Sequence, residues 1–290
     1  MTARFPPPLS PLHPAELLRQ YGLRPRRSLG QNFLHDPSAL ERIVAAAEIL
    51  PDDTVLEIGP GLGALTRYLA RAARRVIAVE IDSSLLPILD SVLSGYTNVT
   101  VLCSDILDLS IGQIVDHADY LVVANIPYYL TSALLRHLLE ARPQPRRLVL
   151  TVQKEVAERL CAGPGDLSLL ALSVQVYGSP RLIATLPAGA FYPRPKVDSA
   201  IVRIDLRPTP RIPWGHLEAF FTLARAGFGQ KRKQLRNALA HHLGLAPAAV
   251  EALLHQAGID PTRRAETLSI EEWGALAERY AAQRAPGRRS

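Results

Sequence analysis

The tetrapeptide Asn125-Ile126-Pro127-Tyr128, followed by Tyr129, assembles groups that can make a poor nitrogen nucleophile reactive. The exocyclic amine of adenine delocalises its lone pair into the ring and attacks carbon weakly. Two acceptors gripping its N–H bonds return density to nitrogen. The Asn125 side-chain oxygen and the Ile126 carbonyl can serve, with Pro127 stiffening the turn so that both point inward. No strong base is needed, because the nitrogen turns acidic once substituted and sheds its proton to water or a nearby acceptor. Tyr128 can stack on one face of the base, which must first leave its own stack.

A second constellation surrounds Glu57-Ile58-Gly59-Pro60-Gly61-Leu62-Gly63. A glycine-rich turn between a strand and a helix lets a ligand lie against bare backbone at the carboxyl edge of a sheet. Read loosely, Gly59-x-Gly61-x-x-Ala64 also satisfies the dinucleotide fingerprint, so the glycines do not separate NAD from S-adenosylmethionine. Glu80, about 20 residues on, can accept bonds from ribose hydroxyls of either. Asp105 tips the balance: a second carboxylate suits the adenine amine of a cofactor without phosphates and would repel a pyrophosphate. Glu57 adds negative charge suited to a sulfonium and its amino group. Singly, Glu80 and Asp105 also have the plain reading of turn or helix caps, and Asp82 is expected to be one.

Two further segments bear on the site. In Phe191-Tyr192-Pro193-Arg194-Pro195-Lys196-Val197-Asp198-Ser199, prolines hold a loop rigid and Phe191 can face the base opposite Tyr128, or else plug the core. Gly30-Gln31-Asn32-Phe33-Leu34 offers amides to a polar ligand, with Phe33 and Leu34 as a lid.

These residues need a frame, and short apolar runs alternating with amphipathic stretches from Thr54 to about Leu206 supply one. That rhythm is βαβ. Strands are expected at 54–58, 76–80, 99–103, 121–124 and 148–152, with helices at 62–73, 84–93 and 131–140 between them. A helix over 38–50 follows Asp36-Pro37, a cap and first-turn proline. Strands at 181–186 and 200–206 should close the far edge, one of them antiparallel. Beyond the linker at 208–213 the chain reads as helical, over 217–227, 231–243, 246–257 and 270–283. The expected organisation is an N-terminal extension (1–23), an α/β Rossmann-like methyltransferase domain (24–207) and a small helical domain (208–290), with 1–14 and 285–290 as loose ends.

Composition narrows the classes. At 290 residues and 48% apolar the chain can bury a full core, and its longest apolar runs fall short of the roughly 20 residues of a membrane span. Two cysteines, Cys103 and Cys161, in no paired or clustered setting argue against disulfides and structural zinc, and the 8 histidines match no ligand spacing. A reducing cytoplasm fits best. The net charge of +6 favours a polyanionic partner, the more so because basic residues gather at Arg24, Arg26 and Arg27, at Arg142, Arg146 and Arg147, and at Lys231-Arg232-Lys233 with Arg225 and Arg236.

Taken together, Ser28-Leu29-Gly30-Gln31-Asn32-Phe33-Leu34, the 57–63 loop, Glu80, Asp105, Asn125–Tyr129, Gln153-Lys154-Glu155-Val156, the 191–199 loop, Phe228-Gly229-Gln230-Lys231-Arg232-Lys233 and Leu268-Ser269 resemble the small-subunit ribosomal RNA adenine N6,N6-dimethyltransferases in order and spacing, from about Arg24 to the C-terminus. Some motifs are shared with the large-subunit adenine methyltransferases that confer macrolide resistance and with mitochondrial transcription factors derived from the family. The 228–233 and 191–199 segments look more like the small-subunit branch. The resemblance implies S-adenosylmethionine as cofactor, and dimethylation of two adjacent adenosines in a hairpin loop near the 3′ end of small-subunit rRNA, within a maturing 30S particle. It implies Asn32, Leu34, Gly59, Glu80, Asp105 and Asn125 at the cofactor, Asn125, Tyr128 and Phe191 at the adenine, no metal, and the helical domain on RNA with Lys231–Lys233 against phosphates. The chain is expected to act as a monomer, away from membranes. It departs from the family at Gly165-Asp166-Leu167-Ser168, where an aromatic-glycine pair usually precedes Leu-Ser.

Overall fold

A computed structural model describes residues 9–230 and 232–284. Seven strands form one sheet: β1 Thr54–Ile58, β2 Arg75–Glu80, β3 Val99–Cys103, β4 Leu121–Asn125, β5 Arg147–Gln153, β6 Gly178–Leu186 and β7 Ser199–Leu206. Their order is β3-β2-β1-β4-β5-β7-β6. The pairs from β3 through β5 are parallel and β7 runs antiparallel to β5. The chain reverses its lateral direction beside β1, between β1 and β4. In an open parallel sheet the crevice for a ligand lies at that point, outside the carboxyl ends of the strands. Both motifs noted above, Gly59–Gly63 after β1 and Asn125–Tyr129 at the end of β4, therefore meet at one edge.

The central strands read as they do because both faces are covered. All five residues of β1 are buried, as are the first four of β4. Helices Pro37–Ala47, Ala64–Ala72, Leu86–Leu93 and Thr131–Glu140 supply apolar faces; the first places Leu40, Ile43 and Ala47 in a core with Val55, Leu69, Leu121 and Ile201. Asp36 caps it by accepting from the Ala39 amide at 2.8 Å, with Pro37 in the first turn. A short ribbon pairs Phe33 with Tyr192 and Leu34 with Phe191.

Two compact units emerge. One runs to Ala157 and resumes over Arg181–Leu206; the other comprises Glu158–Pro180 and everything from Arg207. The chain changes unit at 206–207, and residues 158–180 group with the helical unit, where Leu169–Gln175 packs on Leu217–Phe228. Further helices of that unit span Leu235–Leu243, Pro247–Gln256 and Ile270–Arg284. Inside it Phe228 stacks on Trp273 at 5.9 Å, and Ser269 and Glu272 form a reciprocal capping box at the last helix. The helix expected from Lys231 begins only at Leu235. Arg232 and Lys233 lie in the turn before it, closed by a Lys233 amide bond to the Gln230 carbonyl, and Lys231 falls outside the described residues.

The N-terminal segment differs from expectation as well. Residues 1–8 and 285–290 lie outside the described part, but Pro14–Gln20 is a helix whose Leu18 is buried with Phe33, Leu62, Leu85 and Ile88. The Ser10 carbonyl accepts from Arg67. Pro14 in the first turn and the Leu18–Tyr21 spacing carried that signal.

At the amino end of the sheet Arg146 grips Asp53 through two bonds of 2.8 and 2.6 Å. Burial alone would raise the Asp53 carboxyl; Arg146 and the Leu50 amide outweigh it and hold the group below its ordinary value of 3.8. Asp53→Asn should therefore cost about 2 kcal/mol at neutral pH, less than a fully buried pair because Arg146 keeps 25% of its side chain in water. The contribution exists above pH 3.8 and is lost as acid protonates Asp53. Denaturant melts of both proteins should show the gap at pH 7 closing below that value.

Candidate active site

Each glycine of the loop after β1 has a positive φ: 70° at Gly59, 58° at Gly61 and 82° at Gly63. A side chain at Gly61 is barred twice, since a Cβ there would stand 2.9 Å from the Phe33 ring. The Gly59 amide donates to the Val79 carbonyl at 2.9 Å and the Gly61 amide to Glu80 Oε2 at 3.0 Å, so the loop is tied to β2. Glu80 Oε1 accepts from the Asp82 amide at 2.9 Å. Glu80 is thus a brace for the loop as well as a ligand candidate. Each oxygen retains a second lone pair for a hydroxyl donor.

A cavity of about 240 Å³ opens at this edge. Asn32, Gly59, Glu80, Asp105, Asn125, Tyr128 and Phe191 all line it, with Ile81 and Ile106, the residues that follow the two acids. Leu34 does not; its side chain is buried in the core, and it borders a smaller cavity beneath the loop with Glu57, Gly59 and Asn125. Phe191 is 4% exposed within the core and also forms part of the cavity wall.

Asn125 is held in one orientation. Its side-chain NH₂ donates to the Asn32 carbonyl at 3.0 Å, and Asn32 in turn donates to the Gly30 carbonyl at 3.1 Å. The loop carrying Asn32 is itself fastened through Asp82, which accepts from Gln31 at 2.7 Å, Arg26 at 2.8 Å and Ser84. Asp82 is the turn cap expected of it. Because an amide carries nitrogen and oxygen on opposite sides, engaging the nitrogen turns Asn125 Oδ1 away from Asn32 and leaves it as an acceptor. Asp105 also caps a turn, accepting from the Leu107 amide with Oδ1 alone.

Tyr128 is steadied at its far end, where its hydroxyl shares a 3.0 Å hydrogen bond with the fully buried Ser199 Oγ. Burial, with the Asp198 charge adding to it against that bond, pushes the phenol above its ordinary range. Ser199 was visible in sequence only as the end of the proline loop; its register, opposite Gln153 on β5, gives it this role.

Glu57 departs from expectation. It is 1% exposed, Oε2 has no hydrogen-bond partner, and burial, with the nearby Glu80 charge adding to it, pushes its carboxyl up to about 8. At pH 7 it holds a proton instead of the negative charge read from the sequence.

The donor set decides what class of ligand fits. Two carboxylates and no Lys, Arg or His line the cavity among the described residues, and the buried Glu57 carboxyl, with Oε2 unpartnered, stands two residues before Gly59. A pyrophosphate would meet uncompensated negative charge, whereas a phosphate-free cationic cofactor meets acceptors and a proton that can be given up.

The profile of the ribosomal RNA adenine dimethylases matches residues 22–282. The chain belongs to the ribosomal RNA adenine dimethylase family. Over 268 residues it is 51% identical to ribosomal RNA small subunit methyltransferase A of Dehalococcoides mccartyi strain CBDB1, covering 92% of each chain. It is 45% identical to the protein of that name from Pelotomaculum thermopropionicum, over 93% of this chain and 96% of that one. Among solved structures it resembles a dimethyladenosine transferase from Plasmodium falciparum (TM-score 0.74, 26% identity, 86% and 97% coverage) and the 23S rRNA methyltransferase ErmE (TM-score 0.69, 32% identity, 86% and 99% coverage). This dimethylase is an S-adenosylmethionine-dependent enzyme of the small-subunit rRNA methyltransferase A type, with the Rossmann-like sheet expected.

Two outcomes test the geometry. In the folded dimethylase Glu57 binds its proton up to about 8, against an ordinary 4.5, so its share of stability is complete below 4.5 and lost as pH rises to 8. Glu57→Gln should match wild type near pH 4.5 and melt progressively higher than it up to about pH 8, where the gap levels off; parallel melting curves would contradict this. Ser199→Ala should lower kcat about tenfold, leave cofactor affinity unchanged, and add little to Tyr128→Phe in a double-mutant cycle of methyl-transfer rates.

Proposed function

We propose that this enzyme dimethylates N6 of two adjacent adenosines in the 3′-terminal hairpin loop of small-subunit (16S) rRNA, acting as a cytoplasmic monomer on the maturing 30S particle. Family membership and the 51% identity to a small-subunit enzyme support the RNA; the chemistry rests on the site. The observation that carries it is the Asn125 amide, anchored by its nitrogen on Asn32 and lining the cavity with its oxygen unused by that bond.

S-adenosylmethionine supplies a methyl carbon made electrophilic by its sulfonium. Glu80 and Asp105 would hold its ribose and adenine, bare backbone at Gly59 would let its amino-acid arm approach, and Asn32 and Asn125 complete the wall. The target adenine enters between Tyr128 and Phe191. There Asn125 Oδ1 and the Ile126 carbonyl accept its two N6–H bonds, concentrating density on nitrogen without removing a proton beforehand. Ser199 steadies the Tyr128 ring through its hydroxyl. In the helical unit Arg232 and Lys233, exposed in a turn, neutralise phosphates of the substrate RNA.

Asn125→Ala should abolish methyl incorporation while S-adenosylmethionine still binds, measured by calorimetry beside a radiolabel assay. Under-methylated 30S particles should accept label far better than naked small- or large-subunit RNA, and nucleoside analysis should return N6,N6-dimethyladenosine. Preferential labelling of large-subunit RNA would overturn the assignment.

A further inference from the structure

Two exposed large apolar side chains line the cavity, Ile81 at 49% and Tyr129 at 62%. Ile81 follows Glu80 at the cofactor end. Tyr129 follows the acceptor motif, and a residue that forms cavity wall yet leaves most of its surface to water stands at the mouth. No role assigned so far needs an aromatic there.

The ring is braced. Tyr128–Leu130 is a tight turn closed by the Leu130 amide on the Pro127 carbonyl at 2.9 Å. Opposite it is Gly30, where an added methyl would stand 3.3 Å from Tyr129 Cε1 and 3.3 Å from Pro127 Cβ. Gly30 has φ 61° and caps the turn Arg27–Leu29, so one edge of the ring lies along bare backbone. The same segment brings positive charge: Arg24 and Arg27 are exposed, and their side chains make no hydrogen bond or ion pair among the described residues. A preformed aromatic face against Gly30, which caps the turn begun by Arg27, at the mouth of a pocket for one flipped base, fits single-stranded nucleic acid.

We propose that Tyr129 is a stacking platform for the nucleotide adjoining the target adenosine, with Arg24 and Arg27 on the phosphates of that stretch. This rests on the proposed reading of a hairpin-loop substrate. Extruding one base strips its neighbour of a stacking partner, and the platform replaces that partner at the mouth. With two adjacent targets, each would occupy the platform while the other is in the pocket.

The test uses the full chain and a hairpin RNA bearing 2-aminopurine beside the target adenosine, titrated without cofactor. Wild type should quench the probe. Tyr129→Ala should abolish quenching and weaken RNA binding about five- to a hundredfold, leaving melting temperature and S-adenosylmethionine affinity unchanged, while Tyr129→Trp retains quenching. Unchanged quenching in Tyr129→Ala, or a matching loss of cofactor affinity that would make the ring a cofactor lid, overturns the proposal. Because quenching is read without methyl transfer, failure of under-methylated 30S particles to accept label beside a quenched hairpin counts against the proposed function and not against the platform.

Discussion

Residues 32 and 125 are 93 positions apart, and one hydrogen bond joins them: the Asn125 side-chain NH₂ donates to the Asn32 carbonyl at 3.0 Å. That bond sets which end of the amide is left without this partner and, in the proposed reaction, which end faces the substrate. Much of the surrounding structure holds its two ends still. Asn125 closes β4, a buried strand flanked by β1 and β5. Asn32 sits in a loop tied through Gln31 and Arg26 to Asp82, and Phe33 beyond it pairs with Tyr192. An acceptor of fixed direction costs no reorganisation when the amine arrives, which is where preorganised polar groups gain their advantage over water.

The same tether couples the two halves of the site. Glu80 braces Gly61, the Asp82 amide donates to Glu80, and Asp82 anchors the loop that orients Asn125. The ends proposed for cofactor and acceptor are therefore parts of one hydrogen-bonded chain. The sign of the cavity's charge serves the same chemistry: carboxylates with no lining cation tolerate a sulfonium and reject phosphates.

Much of this was legible in the sequence because it depends on local pattern. The strands announce themselves by short Val, Ile and Leu runs, the glycine loop by positions that need positive φ, and the acceptor turn by Asn125 and Pro127 at a strand end. What escaped depends on tertiary neighbours. Nothing local to Glu57 says that it is stripped of water and protonated; that follows from burial and from Glu80 across the pairing of β1 with β2. Ser199 gains its role only from the register of β7 on β5, and residues 158–180 join the helical unit only through the partner of Leu169–Gln175. The Pro14–Gln20 helix is seven residues long, too short to be stable without the Leu18 contacts.

The substitution Asn125→Asp isolates the central interaction, because it keeps the shape and an oxygen facing the substrate but has no hydrogen to give the Asn32 carbonyl. Methyl-transfer rate on the small-subunit substrate, measured at saturating cofactor, should fall at least about tenfold as the unanchored carboxylate swings from that carbonyl. A variant that transfers methyl groups at the wild-type rate would show that the tether does not orient the acceptor.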